Sequence, residues 1–376
     1  MATTFIEDSN AAQAKSLWDN SAGNPTYDST TARKSGPSSW KCDSGAGNAA
    51  TRLVKNSVAA DAGTRFSGYF RPNDSSLGAS VSIIDFHTTR LSIVLTTALV
   101  LNVVTNSGAT VLKTGSTLSS ATWYRISVAY VITAVDNYTV KVWLDSVLDM
   151  TVTQTDGNLS GTGTNNLRVG WNAAPGANKI INFQHIYIDG SSALTDPGDI
   201  RATSKRPNAN GTTNGFTTQV GSGGSGYGSG HSPQVNERPL SVTNGWSMVG
   251  AGSAVTEEYN VENASTGDID LTGVTLVDYM GWLYADALVL NETAQIILNG
   301  ATSSITINVV DGDSIFTKLA GSTTYPAGTG TDIGIITSTA LATVELFEAG
   351  IVFAYIPAAA QSVVPVLMRQ YRERWT

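Results

Sequence analysis

The stretch ATWYRISVAYVITAVDNYTVKVWLDSVLDMTVT, residues 121–153, contains three segments in which every second side chain is apolar. A period of two residues is typical of a β-strand with one buried face, so this stretch predicts three consecutive strands. Asp136-Asn137 is a turn signal between the first strand and the second. One apolar face per strand predicts an antiparallel sheet that packs on a core, and a second sheet must cover that core.

The turn at Asp145-Ser146 decides the register of the third strand. A plain two-residue turn would place Asp149 opposite Val142 and would bury a lone carboxylate. One extra residue in the loop, as a bulge, keeps the apolar face continuous, and we predict this form. The bulged register pairs Leu148 with Leu144, Met150 with Val142 and Val152 with Val140.

The composition favours short strands and turns over the whole chain. Charged residues make up only 14% of the 376 residues, and 37 residues are glycine. Few charges and many turn-forming residues are typical of all-β proteins. The length is sufficient for two or three domains that each bury a core. We therefore predict an all-β protein with more than one domain.

The charges are unevenly distributed along the chain. Residues 1–236 contain 17 Lys and Arg against 15 Asp and Glu, residues 237–368 contain 2 against 14, and residues 369–376 contain 3 against 1. A region as acidic as residues 237–368 repels phosphate backbones. Nucleic acid is therefore not expected as a partner.

Neither a membrane span nor a signal peptide is predicted. No run approaches the roughly 18 apolar residues that cross a bilayer, and residues 1–15 lack a basic segment followed by an apolar one. Cys42 is the single cysteine. The chain therefore has no internal disulfide, which fits a protein made in a reducing cytoplasm.

Turn signals and composition divide the chain into segments. Residues 1–30 show little periodicity and are predicted to be an N-terminal arm that either crosses the first domain or docks on a neighbour. Residues 31–195 contain regularly spaced short strands and predict a β-sandwich. Residues 196–240 include GSGGSGYGSG and predict an extended Gly/Ser-rich linker. Residues 241–357 predict a second, smaller β-sandwich, in which residues 341–357 could start as a short helix.

The last segment, residues 358–376, contains VVPVLMRQYRERWT. If a helix begins at Pro365, an apolar stripe forms with three arginines beside it. Two interpretations stay open: the segment packs on its own domain, or it docks on an acidic neighbouring subunit, such as the second domain of another copy. The candidate docking residues are Leu367, Arg369, Tyr371, Arg372, Arg374 and Trp375.

Three motifs in the first predicted domain resemble the concanavalin A-like (LamG-like) jelly roll. They are Trp123-Tyr124-Arg125 at the start of a strand, VWLDS at residues 142–146 and the closing strand HIYIDG at residues 185–190. VWLDS stands where many relatives have an Asp-Gly turn. The resemblance implies a jelly-roll sandwich over residues 31–195.

The next stretch, DPGDIRATSKRPNANGTTNGFT at residues 196–217, resembles a segment that follows this jelly roll in structural proteins of tailed-bacteriophage virions. There an Asp-Ile-Arg strand, an Arg-Pro-Asn turn and an Asn-Gly-Thr linker follow each other, and residues 199–201, 206–208 and 210–212 match them. The resemblance covers residues from about 40 to 240. It implies a protein of the virion, made in the host bacterial cytoplasm, that contacts other virion subunits.

Catalytic patterns are scarce. Glycoside hydrolases with a concanavalin-like fold use two glutamates on one strand, and this sequence has no glutamate between Glu7 and Glu237. Asp145 and Asp149 fall on turn and solvent-face positions in the predicted register. The three histidines have no Cys, Asp or Glu at ligand spacing, so structural roles are expected for them. We therefore predict a protein without enzymatic activity.

Candidate binding residues lie in the first domain. Trp143, on the predicted wetter face, and Trp171, at a strand end, are the candidates for stacking on sugar rings, against the alternative of packing under a loop. No cofactor is predicted. Calcium is the ion to consider, because lectin-like jelly rolls often use one and the turn aspartates Asp189, Asp196 and Asp199 lie in one loop.

Two functions are compatible with these observations. The first is a non-enzymatic virion structural protein of a tailed bacteriophage, in the tail or on the capsid surface, which forms a homo-oligomer and acts through assembly and surface presentation. The alternative is a lectin-like receptor-binding adhesin that recognises host surface polysaccharide. Loss of glycan binding on replacing Trp143 or Trp171 would separate the two functions.

Overall fold

A computed structural model describes residues 3–7, 18, 20–32, 38–56, 63–86, 91–105, 110–134, 137–155, 166–216, 218–220, 245–248, 253–266, 269–288, 291–307, 314–326, 331–338 and 343–358. All regular secondary structure in these residues is β-strand, so the predicted all-β class is confirmed. The same residues include no helix that is long and apolar enough to cross a membrane.

The first sandwich consists of two antiparallel sheets. Its strands are β1 (Thr3–Glu7), β2 (Asn20–Ala22), β3 (Thr26–Asp28), β4 (Ser39–Asp43), β5 (Thr51–Lys55), β6 (Gly63–Pro72), β7 (Val81–Phe86), β8 (Leu91–Leu95), β9 (Val100–Thr105), β10 (Thr110–Thr117), β11 (Tyr124–Ala134), β12 (Asn137–Leu144), β13 (Val147–Gln154), β14 (Leu167–Trp171) and β15 (Ile180–Asp189). Sheet A has the order β13-β12-β11-β6-β15-β4-β3, with β1 paired to β15, and sheet B has the order β10-β9-β8-β7-β14-β5-β2.

The three strands predicted from residues 121–153 are β11, β12 and β13. Their apolar faces are buried in the core between sheets A and B, because the alternating residues Val128, Val140 and Val142 are fully inaccessible to solvent. The facing residues of sheet B, such as Ile93 and Val103, are equally buried. The period of two residues thus identified both the strands and the face that the second sheet covers.

The predicted bulge exists, but it lies after the turn and not within it. Asp145 and Ser146 both have positive φ angles, of 49° and 75°, and form a two-residue hairpin turn that pairs Leu144 with Val147. Leu148 consequently lies opposite Trp143 and not opposite Leu144. The register shifts at Asp149, after which the pairs of Met150 with Val142 and of Val152 with Val140 are as predicted.

The bulge lies at Asp149 because the side chain of this residue bonds to the other sheet. Its carboxylate accepts a 2.6 Å hydrogen bond from the Ser116 hydroxyl and a 3.1 Å hydrogen bond from the Ser116 backbone N–H. Ser116 belongs to β10, the edge strand of sheet B, so the bulge turns Asp149 away from the core and links the two sheet edges.

The second sandwich also consists of two antiparallel sheets. Its strands are β16 (Arg201–Lys205), β17 (Pro207–Asn214), β18 (Thr218–Val220), β19 (Gly245–Met248), β20 (Thr256–Val261), β21 (Thr275–Ala287), β22 (Glu292–Leu298), β23 (Ala301–Ile307), β24 (Ser314–Leu319), β25 (Ile333–Thr337) and β26 (Val344–Ile356). Sheet C has the order β18-β19-β26-β21-β24, with β16 paired to β26, and sheet D has the order β17-β20-β25-β22-β23.

The structure differs from the predicted segments at two places. Residues 201–214, assigned to the linker, form β16 and β17 and pair with β26 and β20. In the N-terminal arm, β1 pairs with β15 of the same chain, which corresponds to the alternative that the arm crosses the first domain. The helical start expected within residues 341–357 is replaced by β26, whose residues run as one strand from Val344 to Ile356.

Sheet C is buried on both faces. On β21, Tyr279 and Leu283 pack in the core of the second sandwich, whereas Trp282 and Tyr284 pack in the core that contains β1 and sheet A. A strand covered on both sides carries a continuous apolar run in place of an alternation. The two sandwiches therefore share a packed boundary and are not separated by a free spacer.

Candidate functional site

Arg206 fastens the crossing from β16 to β17 onto sheet C of the second sandwich. Its guanidinium forms a 3.3 Å ion pair with Glu348, and both side chains are almost completely buried. The same guanidinium lies 5.7 Å from the ring centre of Trp282. β16 precedes Arg206 and β17 follows it, so this residue lies where the chain passes from sheet C to sheet D.

Lys205, the residue before Arg206, is also buried. Its ammonium donates hydrogen bonds to the backbone carbonyls of Ala264, at 3.5 Å, of Ile269, at 2.7 Å, and of Thr266. A buried cation needs such compensation, because its removal from water is costly. The segment that was predicted to be a linker therefore carries two buried, bonded cations that fix it within the second sandwich.

A cavity of about 450 Å³ lies at the boundary between the two sandwiches, between the outer face of sheet A and sheet C. Part of its wall comes from β1, β6, β15 and the segment between β15 and β16, and the rest comes from β21, the end of β26 and residues near 321–323. The residues that line it are Thr3, Arg65, Tyr187, Pro197, Ile200, Val277, Asp278, Gly321, Thr323 and Ile356.

The polar groups of the cavity are held in fixed positions. Asp278 is buried, and its Oδ1 accepts hydrogen bonds from the N–H groups of Tyr279, at 2.8 Å, and Ser322, at 3.1 Å. The Tyr187 hydroxyl lies 3.3 Å from the Thr3 hydroxyl. Burial raises the pKa of Tyr187 to about 12, so the phenol keeps its proton at neutral pH. The cavity thus contains a carboxylate acceptor beside neutral hydroxyl groups.

The three aspartates considered as calcium ligands are each paired with an arginine. Arg65 donates to both oxygens of Asp189, with distances of 2.6 to 3.1 Å, in a fully buried pair. The remaining pairs are Arg125 with Asp196 and Arg201 with Asp199. No group of three or more His, Cys, Asp or Glu side chains in the described part of the chain could hold a metal ion. The arginine side chains supply the positive charge beside each of these three carboxylates.

These ion pairs attach the segment after β15 to the outer face of sheet A. Arg125 lies on β11, Arg65 and Tyr69 lie on β6, and the Tyr69 hydroxyl donates a hydrogen bond to Asp199. Gly198 accepts a hydrogen bond from Ser67 on the same face. The segment from residue 189 to residue 199 therefore crosses sheet A before β16 enters sheet C.

The Arg125–Asp196 pair predicts a pH dependence of stability. Burial raises the pKa of Asp196, but the hydrogen bonds and the charge of Arg125 outweigh it and hold this pKa below its ordinary value. The stabilisation is therefore fully present above about pH 4 and is lost as the pH falls through the lowered pKa. We expect Asp196→Asn to cost roughly 1–3 kcal/mol at pH 7 and progressively less at pH 3.

Thermal unfolding of the parent and of Asp196→Asn between pH 7 and pH 3 measures this difference in stability. Asp74→Asn is the control, because Asp74 forms a longer and more exposed pair with Lys179, at 3.6 Å, worth at most about 1 kcal/mol. A difference between Asp196→Asn and the parent that stays constant over this pH range would contradict the prediction.

The two tryptophans predicted to stack on sugar rings are both buried. Trp171 is fully inaccessible, and its Nε1 donates a 2.9 Å hydrogen bond to the Lys179 carbonyl. Trp143 lies on the outer face of sheet A, as predicted, but only 8% of its surface is exposed. Neither indole presents an open ring face to a ligand, so the packing alternative describes their positions.

Neither His185 nor the candidate docking residues line the cavity. His185 is buried, and its Nδ1 accepts a 3.2 Å hydrogen bond from the Ala202 N–H, which is a structural role. The candidate docking residues Leu367, Arg369, Tyr371, Arg372, Arg374 and Trp375 lie outside the described residues. The residues of the cavity were not identified from the sequence, because they come from segments far apart in the chain and share no spacing.

Comparisons with known proteins find only structural neighbours of low similarity. No protein-family model and no curated protein matches the sequence. Cellulose-induced protein Cip1 is 19% identical, with a TM-score of 0.40, over 52% of this chain and 100% of its own. An endo-β-1,4-glucuronan lyase from the fungus Trichoderma reesei is 13% identical, with a TM-score of 0.38, over 52% of this chain and 98% of its own.

A carbohydrate esterase from the Shiga toxin-encoding bacteriophage phi24B is 17% identical, with a TM-score of 0.37, over 50% of this chain and 100% of its own. Likenesses of this size assign no substrate and no activity to this chain. The prediction of a protein without enzymatic activity is nevertheless wrong as it stands, because these neighbours include a lyase and an esterase. The missing glutamate pair excludes only one mechanism of glycoside hydrolysis and not catalysis in general.

Proposed function

We propose that this protein is a surface component of a tailed-bacteriophage particle that binds a short stretch of host glycan in the cavity between its two sandwiches. The cavity carries the glycan part of the proposal. Its volume of about 450 Å³ lies within the range of roughly 300–1,000 Å³ that is typical of small-ligand sites. It therefore has room for one or a few sugar rings.

The chemistry of the cavity suits a sugar. A pyranose presents hydroxyl groups around its rim and apolar C–H groups on its faces. Asp278 and the hydroxyls of Tyr187 and Thr323 can exchange hydrogen bonds with such a rim, while Ile200 and Val277 offer apolar contact. The Asp278 carboxylate uses Oδ1 for two backbone N–H groups, and Oδ2 accepts no hydrogen bond from the described residues. Oδ2 is therefore suited to accept one from a sugar hydroxyl.

The particle part of the proposal is supported by the sequence resemblance and by what its motifs do in the structure. Asp199 and Arg206, which belong to the matched motifs, bind Tyr69 and Glu348 at the boundary of the sandwiches. A subunit exposed on a particle must hold its binding site rigidly. The motif residues fix the two walls of the cavity relative to each other, which is compatible with surface presentation.

Blocking the cavity should abolish glycan binding without unfolding the protein. Thr323 is exposed at the cavity wall, so Thr323→Trp fills the space from a position where a large side chain costs little stability. Asp278→Asn keeps an oxygen for the two N–H groups but removes the charge. Thr323→Trp should abolish binding because its indole occupies the space of the sugar. Asp278→Asn should lower the affinity at least tenfold, because one charged hydrogen bond contributes about 1.5–3 kcal/mol.

Calorimetric titration with oligosaccharides from the host surface polysaccharide measures this affinity. Thr324→Trp is the matched control, because Thr324 is exposed next to Thr323 but does not line the cavity. Chromatography of the oligosaccharides after incubation shows whether they are also cleaved. Unchanged affinity in both cavity variants would refute the cavity as the glycan site.

A further inference from the structure

In the part of the chain that the structure describes, β23 is an edge strand whose outer side pairs with no other strand. It pairs with β22 over all seven residues, from Ala301 to Ile307, without a register shift. Asn299 and Gly300 join the two strands in a two-residue turn with φ angles of 49° and 75°. Residues 301–304 and 306 are exposed, so both faces of the strand contact solvent. β23 therefore extends beyond the core as a flat, accessible edge.

The hairpin geometry shows which backbone groups face outward. The two residues next to such a turn, Leu298 and Ala301, form a hydrogen-bonded pair, and the pairs alternate from there. The backbone N–H and C=O groups of Thr302, Ser304 and Thr306 consequently face away from β22. One of these outward groups has a partner, because the Thr302 carbonyl accepts a long hydrogen bond of 3.4 Å from the Lys318 ammonium.

The other described sheet edges carry features that prevent pairing with another chain. Such features are short strands, bulges, prolines and lysines. β10 has Lys113 and two register shifts, and β13 has the bulge at Asp149. β17 starts with Pro207 and has two register shifts, and β24 contains Lys318. β2, β3 and β18 have three residues each. β1 contains Glu7 and a register shift, and β16 contains Arg201 and Lys205. Among the described edges, β23 is long, regular and without a charged residue or a proline in its sequence.

The side chains of β23 fit a second copy of the same strand. Its sequence, ATSSITI, contains no charged residue, although residues 237–368 have only 2 basic residues against 14 acidic ones. Two copies can therefore approach through β23 with less charge repulsion than through the rest of this region. In an antiparallel pair related by a two-fold axis, serine and threonine side chains face each other and can form hydrogen bonds.

We propose that β23 is an assembly edge, at which two copies of this chain pair antiparallel and join their D sheets into one continuous sheet. Around a two-fold axis at Ser304, the outward groups of Ser304 then exchange hydrogen bonds with Ser304 of the second copy, and those of Thr306 with Thr302 of the second copy, where the long Lys318 contact to the Thr302 carbonyl is replaced. None of the residues that line the glycan cavity belongs to β23, so the interface and the cavity can be tested separately.

Light scattering after size-exclusion chromatography of the full chain, over a hundredfold range of concentration, tests the proposal. We expect a concentration-dependent dimer for the parent. Ser304→Pro removes one outward N–H group, and Ser304→Lys adds a charge at the centre of the edge. Both variants should be monomeric at concentrations where the parent is dimeric, with glycan affinity unchanged.

Thr151→Lys is the matched control, because Thr151 is exposed on β13 in the first sandwich. It should dimerise like the parent, and Ser304→Lys should melt within about 2 °C of the parent at a concentration where both are monomeric. A parent that stays monomeric, or a Ser304→Lys variant that assembles like the parent, would overturn the proposal. A chain without residues 366–376 that is monomeric while Ser304→Lys still dimerises would assign assembly to the C-terminal segment instead.

Discussion

Replacing Arg206 with alanine is expected to lower the free energy of unfolding by about 3–5 kcal/mol. The change leaves the Glu348 carboxylate buried without its ion-pair partner, and it removes the guanidinium that lies over Trp282. The penalty is large because a lone buried charge has neither water nor a counter-ion. Denaturant unfolding followed by tryptophan fluorescence measures it, since Trp282 lies at the affected boundary.

A double variant separates the charge effect from a loss of packing. Arg206→Met combined with Glu348→Leu removes both charges and keeps apolar volume at the boundary, so it should recover most of the lost stability. Lys41→Ala is the exposed control, because the Lys41–Asp43 pair at 3.1 Å is about one-third exposed on each side and should cost at most about 1 kcal/mol. An Arg206→Ala protein that is as stable as Lys41→Ala would show that Arg206 does not fasten the crossing from β16 to β17 onto sheet C.

The first sandwich was predictable from the sequence because its central signal is local. In β11 to β13, alternation with a period of two residues identifies the buried face whatever lies elsewhere in the chain. The position of the bulge was not predictable in the same way. It depends on Ser116, which binds Asp149 from the other sheet, and no pattern within residues 121–153 indicates that partner.

The second sandwich was harder to predict because its pairings are non-local. Residues 207–214 are rich in asparagine, threonine and glycine, a composition typical of loops, yet they form β17 against β20. Strand preference depends on the neighbouring strand more than on the residue itself. The segment of β26 was predicted to start as a short helix because Leu341, Val344 and Phe347 have helical spacing, yet its apolar residues form one continuous strand. The reason is that sheet C is buried on both faces.

The candidate site was the least predictable feature. The candidates from the sequence were aromatic residues and clustered aspartates, because these are the usual side chains of glycan and calcium sites. The fold instead buries Trp171 in the core and pairs each aspartate with an arginine. The cavity combines Thr3 with Asp278 and Thr323, which only the docking of the two sandwiches brings together.

Trp171→Ala is expected to cost about 3–5 kcal/mol in the free energy of unfolding, because it leaves a cavity in the core of the first sandwich. The lost 2.9 Å hydrogen bond from Nε1 to the Lys179 carbonyl adds a smaller cost, because this carbonyl keeps its 3.0 Å hydrogen bond from the Ser44 N–H. Thermal unfolding by circular dichroism measures the change. Trp171→Phe is the control, because it keeps most of the ring volume and should lose less than half as much.

The same variant distinguishes a core residue from a sugar-stacking residue. An indole that packs in the core supports the fold of every molecule, so the fraction of Trp171→Ala protein that remains folded should bind oligosaccharide with the affinity of the parent. An indole that stacks on a sugar would show the opposite result, with weak binding at an unchanged melting temperature. Titration at 10 °C, where the variant is expected to be still folded, separates these outcomes. Weak binding there, in a protein as stable as the parent, would restore Trp171 as a glycan-binding residue and contradict its burial.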